Sequence, residues 1–247
     1  MCEVRPANTK EDILPQWARA RLAGLGTFPK NQAPSVLTRL CGDCNGTYAR
    51  LYENAAAPVL APMMDGTHCR LRSMDQEVIS RWVLKTSLLL FLTKAHDAPV
   101  GDRGLARDVL RHLKVQQAEV ASSFVRLGAC NFVDAGNVPN EALHAPGPLP
   151  PIAWGGVSTL GCIVWEAAVG DPNDVEPFAQ SCPDSDALVR ICPSQDDVEW
   201  PPPRRMIAAD IHNLRVAWLS ARRWPVPLDT PLITRGTARV RAMWAPD

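Results

Sequence analysis

The feature that most restricts how this chain can fold is the stretch Leu40-Cys41-Gly42-Asp43-Cys44-Asn45-Gly46-Thr47-Tyr48. Two thiols three positions apart, across a glycine, can reach one metal ion while the chain leaves the turn as a helix. A closed structural zinc site needs four ligands. The pair alone therefore leaves two readings open, a zinc knuckle or two reduced cysteines in a tight turn. Its surroundings extend the pattern. Cys2 and the segment Lys10-Glu11-Asp12-Ile13-Leu14-Pro15-Gln16-Trp17 lie upstream, and Arg50-Leu51-Tyr52-Glu53 lies downstream. The expectation is a small metal-centred module with a larger body behind it.

Around that turn the local signals alternate between strand and helix. Thr9 to Leu14 reads as a short strand or a first helical turn, limited by Pro15. Trp17–Leu25 predicts a short helix that Gly24 or Gly26 stops, and Val36–Leu40 a strand leading into the cysteines. A helix is expected from Thr47, with Pro58 and Pro62 breaking or restarting it. Ser73 with Gln76 three residues on forms a capping-box pattern and opens a helix over about Met74–Ala95. Its buried stripe is Val78, Ile79, Trp82, Leu89 and Leu92, with Arg81 and Lys85 on the solvent side. A second long helix is expected over about Leu105–Leu127, with Leu110, Leu113, Phe124 and Val125 as its apolar members.

Between Asn131 and Pro151 the chain turns to Pro, Gly and Asn, which marks a boundary. Beyond it Leu160–Val169, Ala187–Ile191 and Thr237–Trp244 read as strands, while Ile207–Leu219 fits strand or helix equally. The fold class is therefore α+β. Residues 1–66 are expected as a ββα metal finger, 67–135 as a helical region and 150–247 as a β-rich C-terminal lobe.

Composition excludes some functions. The 26 Lys+Arg balance 26 Asp+Glu, so no global basic excess holds the molecule on nucleic acid or an anionic membrane. Any contact with DNA or RNA must come from a local patch. No apolar run is long enough to span a bilayer. The opening Met1-Cys2-Glu3-Val4-Arg5 lacks a signal peptide's apolar core, so the expected location is cytoplasmic and the eight cysteines are expected as reduced thiols. Oligomeric state is left open.

Glu11-Asp12-Ile13-Leu14-Pro15-Gln16-Trp17, then Thr38-Arg39-Leu40-Cys41-Gly42-Asp43-Cys44-Asn45, then Leu51-Tyr52-Glu53 resembles the HNH-type (ββα-metal finger) endonucleases, in particular their divergent actinobacterial members. Ser73–Gln76 and Arg81-Trp82-Val83-Leu84-Lys85-Thr86 resemble the helical extension of such proteins, so the likeness covers about residues 2–95.

The resemblance implies metal-dependent phosphodiester hydrolysis on DNA or RNA. A divalent ion, Mg2+ or Mn2+, would stabilise the leaving oxygen while a base activates water. By position Glu11 would be the metal-holding acid and Asn45 the second ligand at the start of the helix. Asp12 stands where the family has its general-base His. A carboxylate ionising near pH 4 is a poor base at neutrality unless burial raises its pKa. The resemblance also implies a structural Zn2+ held by two Cys-x-x-Cys pairs. Cys2, Cys41 and Cys44 fit that set, with sulfurs roughly 3.5–4 Å apart. Cys2 suits the second cysteine of the first pair, whose partner would then be encoded upstream. His68 and Cys69 are alternative fourth ligands. The reading from another class is a non-catalytic, zinc-stabilised binding protein, in which Glu11 and Asp12 are an acidic cap.

Other motifs carry less. Gly155-Gly156-Val157-Ser158-Thr159 lacks the spacing of a nucleophile elbow. His96-Asp97, His144 and His212 lie near no nucleophile pattern, and Trp17 and Trp82 read as core anchors. Cys130, Cys162, Cys182 and Cys192 are too spread in the chain to read as a second zinc site.

Overall fold

A computed structural model of the chain describes residues 9–24, 37–94, 110, 123–131, 154–169, 175–176, 179 and 185–221. Cys2, His96, His144, Cys182 and the expected strand Thr237–Trp244 lie outside the described residues.

The chain is α+β. Strand β1 (Thr9–Asp12) pairs antiparallel with β2 (Leu37–Leu40), and α1 (Gln16–Gly24) lies between them in sequence. From β2 the chain turns at Cys41 into α2 (Gly42–Tyr48), one π-helical turn (Ala49–Glu53) and α3 (Asn54–Met64). Pro58 and Pro62 do not break this run but sit inside α3. Each proline removes one amide donor and so strands the carbonyl four residues before it, on Asn54 and Pro58. Both of those residues are exposed, where water can satisfy the carbonyl.

Strand β3 (Cys69–Leu71) leads to α4 (Ser73–Lys94), the axis of the molecule. Apart from Arg81, every residue from Ile79 to Leu90 is buried. A helix covered on all sides has no solvent face to read from its sequence, which is why the expected polar side fails at Lys85. The cap is also shifted by one residue. The Arg72 amide donates to Asp75 Oδ2 at 3.0 Å, so Arg72 is the N-cap and Ser73 the first helical residue. Gln76 is fully buried and does not cap the Arg72 amide. Its amide nitrogen donates to the carbonyls of Leu71 and Asp196 at 3.1 and 2.9 Å, and its oxygen accepts from the Gln195 amide at 2.9 Å.

Residues 123–127, expected at the end of a helix, form instead part of strand β4 (Ser123–Ala129). All seven of its residues are buried, and a short apolar run with both faces covered carries no periodicity that separates strand from helix. With β5 (Trp154–Leu160), β6 (Ile163–Val169) and β7 (Leu188–Cys192) it forms an antiparallel sheet of order β5-β6-β4-β7. The expected single strand Leu160–Val169 is broken at Gly161, which adopts φ 58° in the two-residue turn joining β5 to β6. Strand β8 (Val198–Trp200) returns to pair with β3. The ambiguous segment after Ile207 is helix α5 (Ala208–Ala221).

Alternation along the strands builds two layers of core. Val125, Leu127, Trp165, Ala167 and Ile191 belong to the large cluster that holds Trp82, Leu88 and Leu89 of α4, together with Tyr48, Tyr52 and Leu60. Phe124, Val157, Val164, Ala168 and Leu188 form the second cluster, with Met206 and Ile211. The first cluster runs without interruption through all three segments expected from sequence. Trp82 is its hub, 5.8 Å from the Trp165 ring edge-on and 6.4 Å from Trp17. The expectation that Trp82 anchors the core holds, while Trp17 is half-buried against it.

Candidate functional site: the cysteine turn and the buried lysine behind it

The turn is set by β2. Thr9 Oγ1 donates to the Leu40 carbonyl at 2.6 Å, tying the last residue of β2 to the first of β1. Cys41 follows with φ −77° and ψ 152° as N-cap of α2, and its carbonyl accepts from the Asn45 amide at 3.0 Å. Its sulfur accepts from the Cys44 amide at 3.4 Å. Both thiols are buried, and neither is in a disulfide. Below them Tyr48 donates its hydroxyl to the Leu110 carbonyl at 3.0 Å. Burial pushes the Tyr48 phenol far above its ordinary range, and Cys44, Tyr52 and Cys41 push the same way.

The other expected site residues are distributed along the strand pair. Asn45 is half-buried on the first turn of α2. Glu11 stands opposite Thr38 and Asp12 opposite Leu37, whereas Thr9 stands opposite Leu40 beside the cysteines. At about 3.4 Å per residue the Asp12 rung lies roughly 10 Å along the strands from the Leu40 rung. The acids and the thiols therefore occupy opposite ends of the pair. Among the described residues no three His, Cys, Asp or Glu side chains gather as a metal-holding group. His68 turns elsewhere, its Nε2 3.6 Å from Glu199 on β8, and Cys69 is committed to β3 opposite Trp200.

Sequence reasoning missed the residue behind the turn. Lys85, expected on the solvent side of α4, is fully buried, and its Nζ lies 2.6 Å from Glu53 Oε1 at the end of the π-helical turn. Arg81 is only partly covered and pairs with Glu77 one turn before it. The signal for Lys85 was present: it stands three residues after Trp82 and four before Leu89, inside the apolar stripe itself. Charge alone had moved it to the outside. Two ions removed from water hold each other strongly, and removal of either leaves an uncompensated buried charge. The pair thus clamps the α2–α3 run to the central helix. Beside the start of α4 an open cleft of about 1070 Å³ is lined by Arg70, Ser73 and Ser194–Val198, with Arg70 bridged to Asp197 at 2.8 Å.

No protein-family model matches the sequence, and neither a curated protein nor a solved structure does. Among the described residues no helix is long and apolar enough to cross a membrane.

Proposed function

We propose that this chain is an HNH-like protein acting on DNA or RNA, a metal-dependent phosphodiesterase or a catalytically degenerate descendant of one. The observation that carries the reading is the order of parts: an antiparallel pair of strands bearing Glu11 and Asp12, then a helix opened by Cys41 and Cys44 and carrying Asn45. In a ββα finger the thiols hold a structural Zn2+, and the acid and amide hold the catalytic Mg2+ or Mn2+. The donor set fits in part. Cys41 and Cys44 supply two soft ligands on one turn, with the Cys44 amide already oriented on sulfur, and Cys2 would be the third. Glu11 and Asn45 would bind the catalytic ion across the two rungs that separate Glu11 from Leu40, and Asp12 would stand in for the base.

The second reading, a zinc-stabilised binding module without catalysis, is favoured by Asp12 itself, since a carboxylate removes a proton from water poorly at neutral pH. Two measurements separate the readings. Mass spectrometry of the purified chain should find one zinc, lost in Cys41→Ser with Cys44→Ser. Plasmid nicking with Mg2+ or Mn2+ should be slow or absent, and Asp12→His should raise it by one to two orders of magnitude (~10–100-fold), short of the full general-base range. A binding module gives no nicking from either protein. Robust cleavage that survives Glu11→Ala overturns the assignment.

A further inference from the structure

Cys130 and Cys162 meet at the end of the sheet that faces α3. The β4–β6 register, Ala129 opposite Ile163, continues by one rung to set Cys130 opposite Cys162, and the Cys130 amide donates to the Cys162 carbonyl at 2.9 Å. That single hydrogen bond sets the backbones of the two residues side by side just past the last paired rung, a neighbourhood in which the Cα separation a disulfide spans, about 4.4–6.8 Å, is within reach. The Cys130 sulfur leans toward the turn, 3.9 Å from the Gly161 carbonyl. The rung is only half bonded. The Cys162 amide goes to the Met64 carbonyl at 3.0 Å, and the Cys130 carbonyl accepts from Arg205 at 3.4 Å. The two strand ends can therefore draw together without breaking a complete ladder rung.

We propose that Cys130 and Cys162 are a redox-sensitive pair that closes to a cross-strand disulfide when the protein meets a peroxide. The Cys162 thiolate attacks one peroxide oxygen. An S–O bond forms, the O–O bond breaks, and hydroxide leaves with the electron pair. Cys130 sulfur then attacks the sulfenic sulfur, the S–S bond forms, and hydroxide leaves carrying the Cys130 proton as water. Two thiols and one peroxide give one disulfide and two waters, so sulfur is oxidised and peroxide reduced.

Cys162 is the attacking thiol because it is the more exposed of the two, at 7% against 0%, and the Arg205 guanidinium faces it; its pKa still lies above the ordinary value, so attack quickens as pH rises. Burial pushes its pKa up, the Arg205 guanidinium beside it pulls it part of the way back, and Asp65 opposes Arg205. Cys130 is fully buried and serves as the resolving thiol. The same knot holds α3: Arg205 also donates to the Gly66 carbonyl at 3.3 Å, and Met64 accepts from Cys162. Closure joins the end of β4 to the turn on which α3 rests.

The test is peroxide treatment of the whole chain, alkylation of remaining thiols, then digestion and mass spectrometry. The expected product is a peptide pair linked through Cys130 and Cys162. It should vanish in Cys130→Ser, which leaves a trappable sulfenic acid on Cys162, and reappear as free thiols after dithiothreitol. Its rate should rise several-fold between pH 7 and pH 9, and fall in Arg205→Gln. Cys162→Ser alone should abolish both products. Oxidation that joins other cysteines while Cys130 and Cys162 stay alkylatable overturns the proposal, as does a Cys130–Cys162 bond that resists dithiothreitol in the folded protein.

Discussion

Two pairs of thiols occupy two regions of this molecule and arrive there by different routes. Cys41 and Cys44 are joined by a single helical turn, so three residues of local geometry place them. Cys130 and Cys162 lie far apart in the chain, and their backbones meet only because β4 and β6 pair in one register. Each region also buries one ion pair. Lys85 reaches Glu53 across two packed helices, whereas Arg126 reaches Glu166 across neighbouring strands at 2.5 Å, with the Phe124 ring 5.4 Å from its guanidinium. The difference concerns what each arrangement depends on. The cysteine turn is fixed locally by β1, β2 and α2, and packs both thiols into the large core cluster. The sheet pair needs every rung between it and Ser123, since a slip of one residue would carry its side chains to the opposite face.

The largest effects should come from the ion pairs. Lys85→Met strips Glu53 of its partner in a dry interface and should cost about 3–5 kcal/mol of unfolding free energy in urea titration. Replacing both residues, Lys85→Met with Glu53→Leu, should recover most of that loss, because the pair's desolvation penalty disappears with its attraction. Arg126→Met should cost a similar amount, and it should also slow formation of the Cys130–Cys162 bond by loosening the strands. Lys85→Met should leave that rate unchanged. Equal effects of both substitutions on the disulfide would break the distinction between the regions.

A smaller effect tests the turn that carries Cys162. Gly161 has φ 58°, and a Cβ there would stand 2.8 Å from the Met64 carbonyl oxygen. Gly161→Ala should therefore cost about 1–3 kcal/mol, as left-handed backbone strain adds to a clash with backbone that cannot move aside. Any zinc held as proposed by the thiol turn should stay at its native content. Loss of zinc in this variant would mean that the thiol turn is not independent of the sheet.

What could be read from the sequence follows the same division. The strand into Leu40, the short helix ending at Gly24 and the buried Trp82 are all local or periodic signals, while the helix expected from Thr47 opens five residues earlier, at Gly42. What escaped is set by tertiary contact. Phe124 and Val125 look the same in a buried strand as in a buried helix, and the β4 assignment depends on β6 and β7 beside it. The position of Lys85 inside the apolar stripe of α4 marks it as buried, but its partner Glu53 lies on another element, which no pattern within α4 can announce. The Cys130–Cys162 pairing needs a register that the intervening residues do not reveal.

The smallest predicted effects separate cap chemistry from cap motif. Helices α4 and α5 open alike: Asp75 accepts from the Arg72 amide and Asp210 from the Ile207 amide, each at 3.0 Å and each from the third helical residue back to the N-cap. A carboxylate at that position both satisfies a free amide and faces the positive end of the helix. Asp75→Ala should cost about 1 kcal/mol, the usual size of a lost cap. Ser73→Ala, at the position the sequence pattern marks as the cap, should cost almost nothing, because the serine is already the first helical residue. At Asp210 burial alone would raise the carboxyl pKa, but the Ile207 amide and the Arg204 guanidinium outweigh it and hold the pKa below its ordinary 3.8. A depressed carboxyl pKa adds stability above the unfolded value, and that stability is lost as pH falls through the folded one. The difference between the native chain and Asp210→Asn should thus be present at pH 7 and disappear in acid. If Ser73→Ala proves as costly as Asp75→Ala, then α4 begins one residue later than its hydrogen bonds indicate.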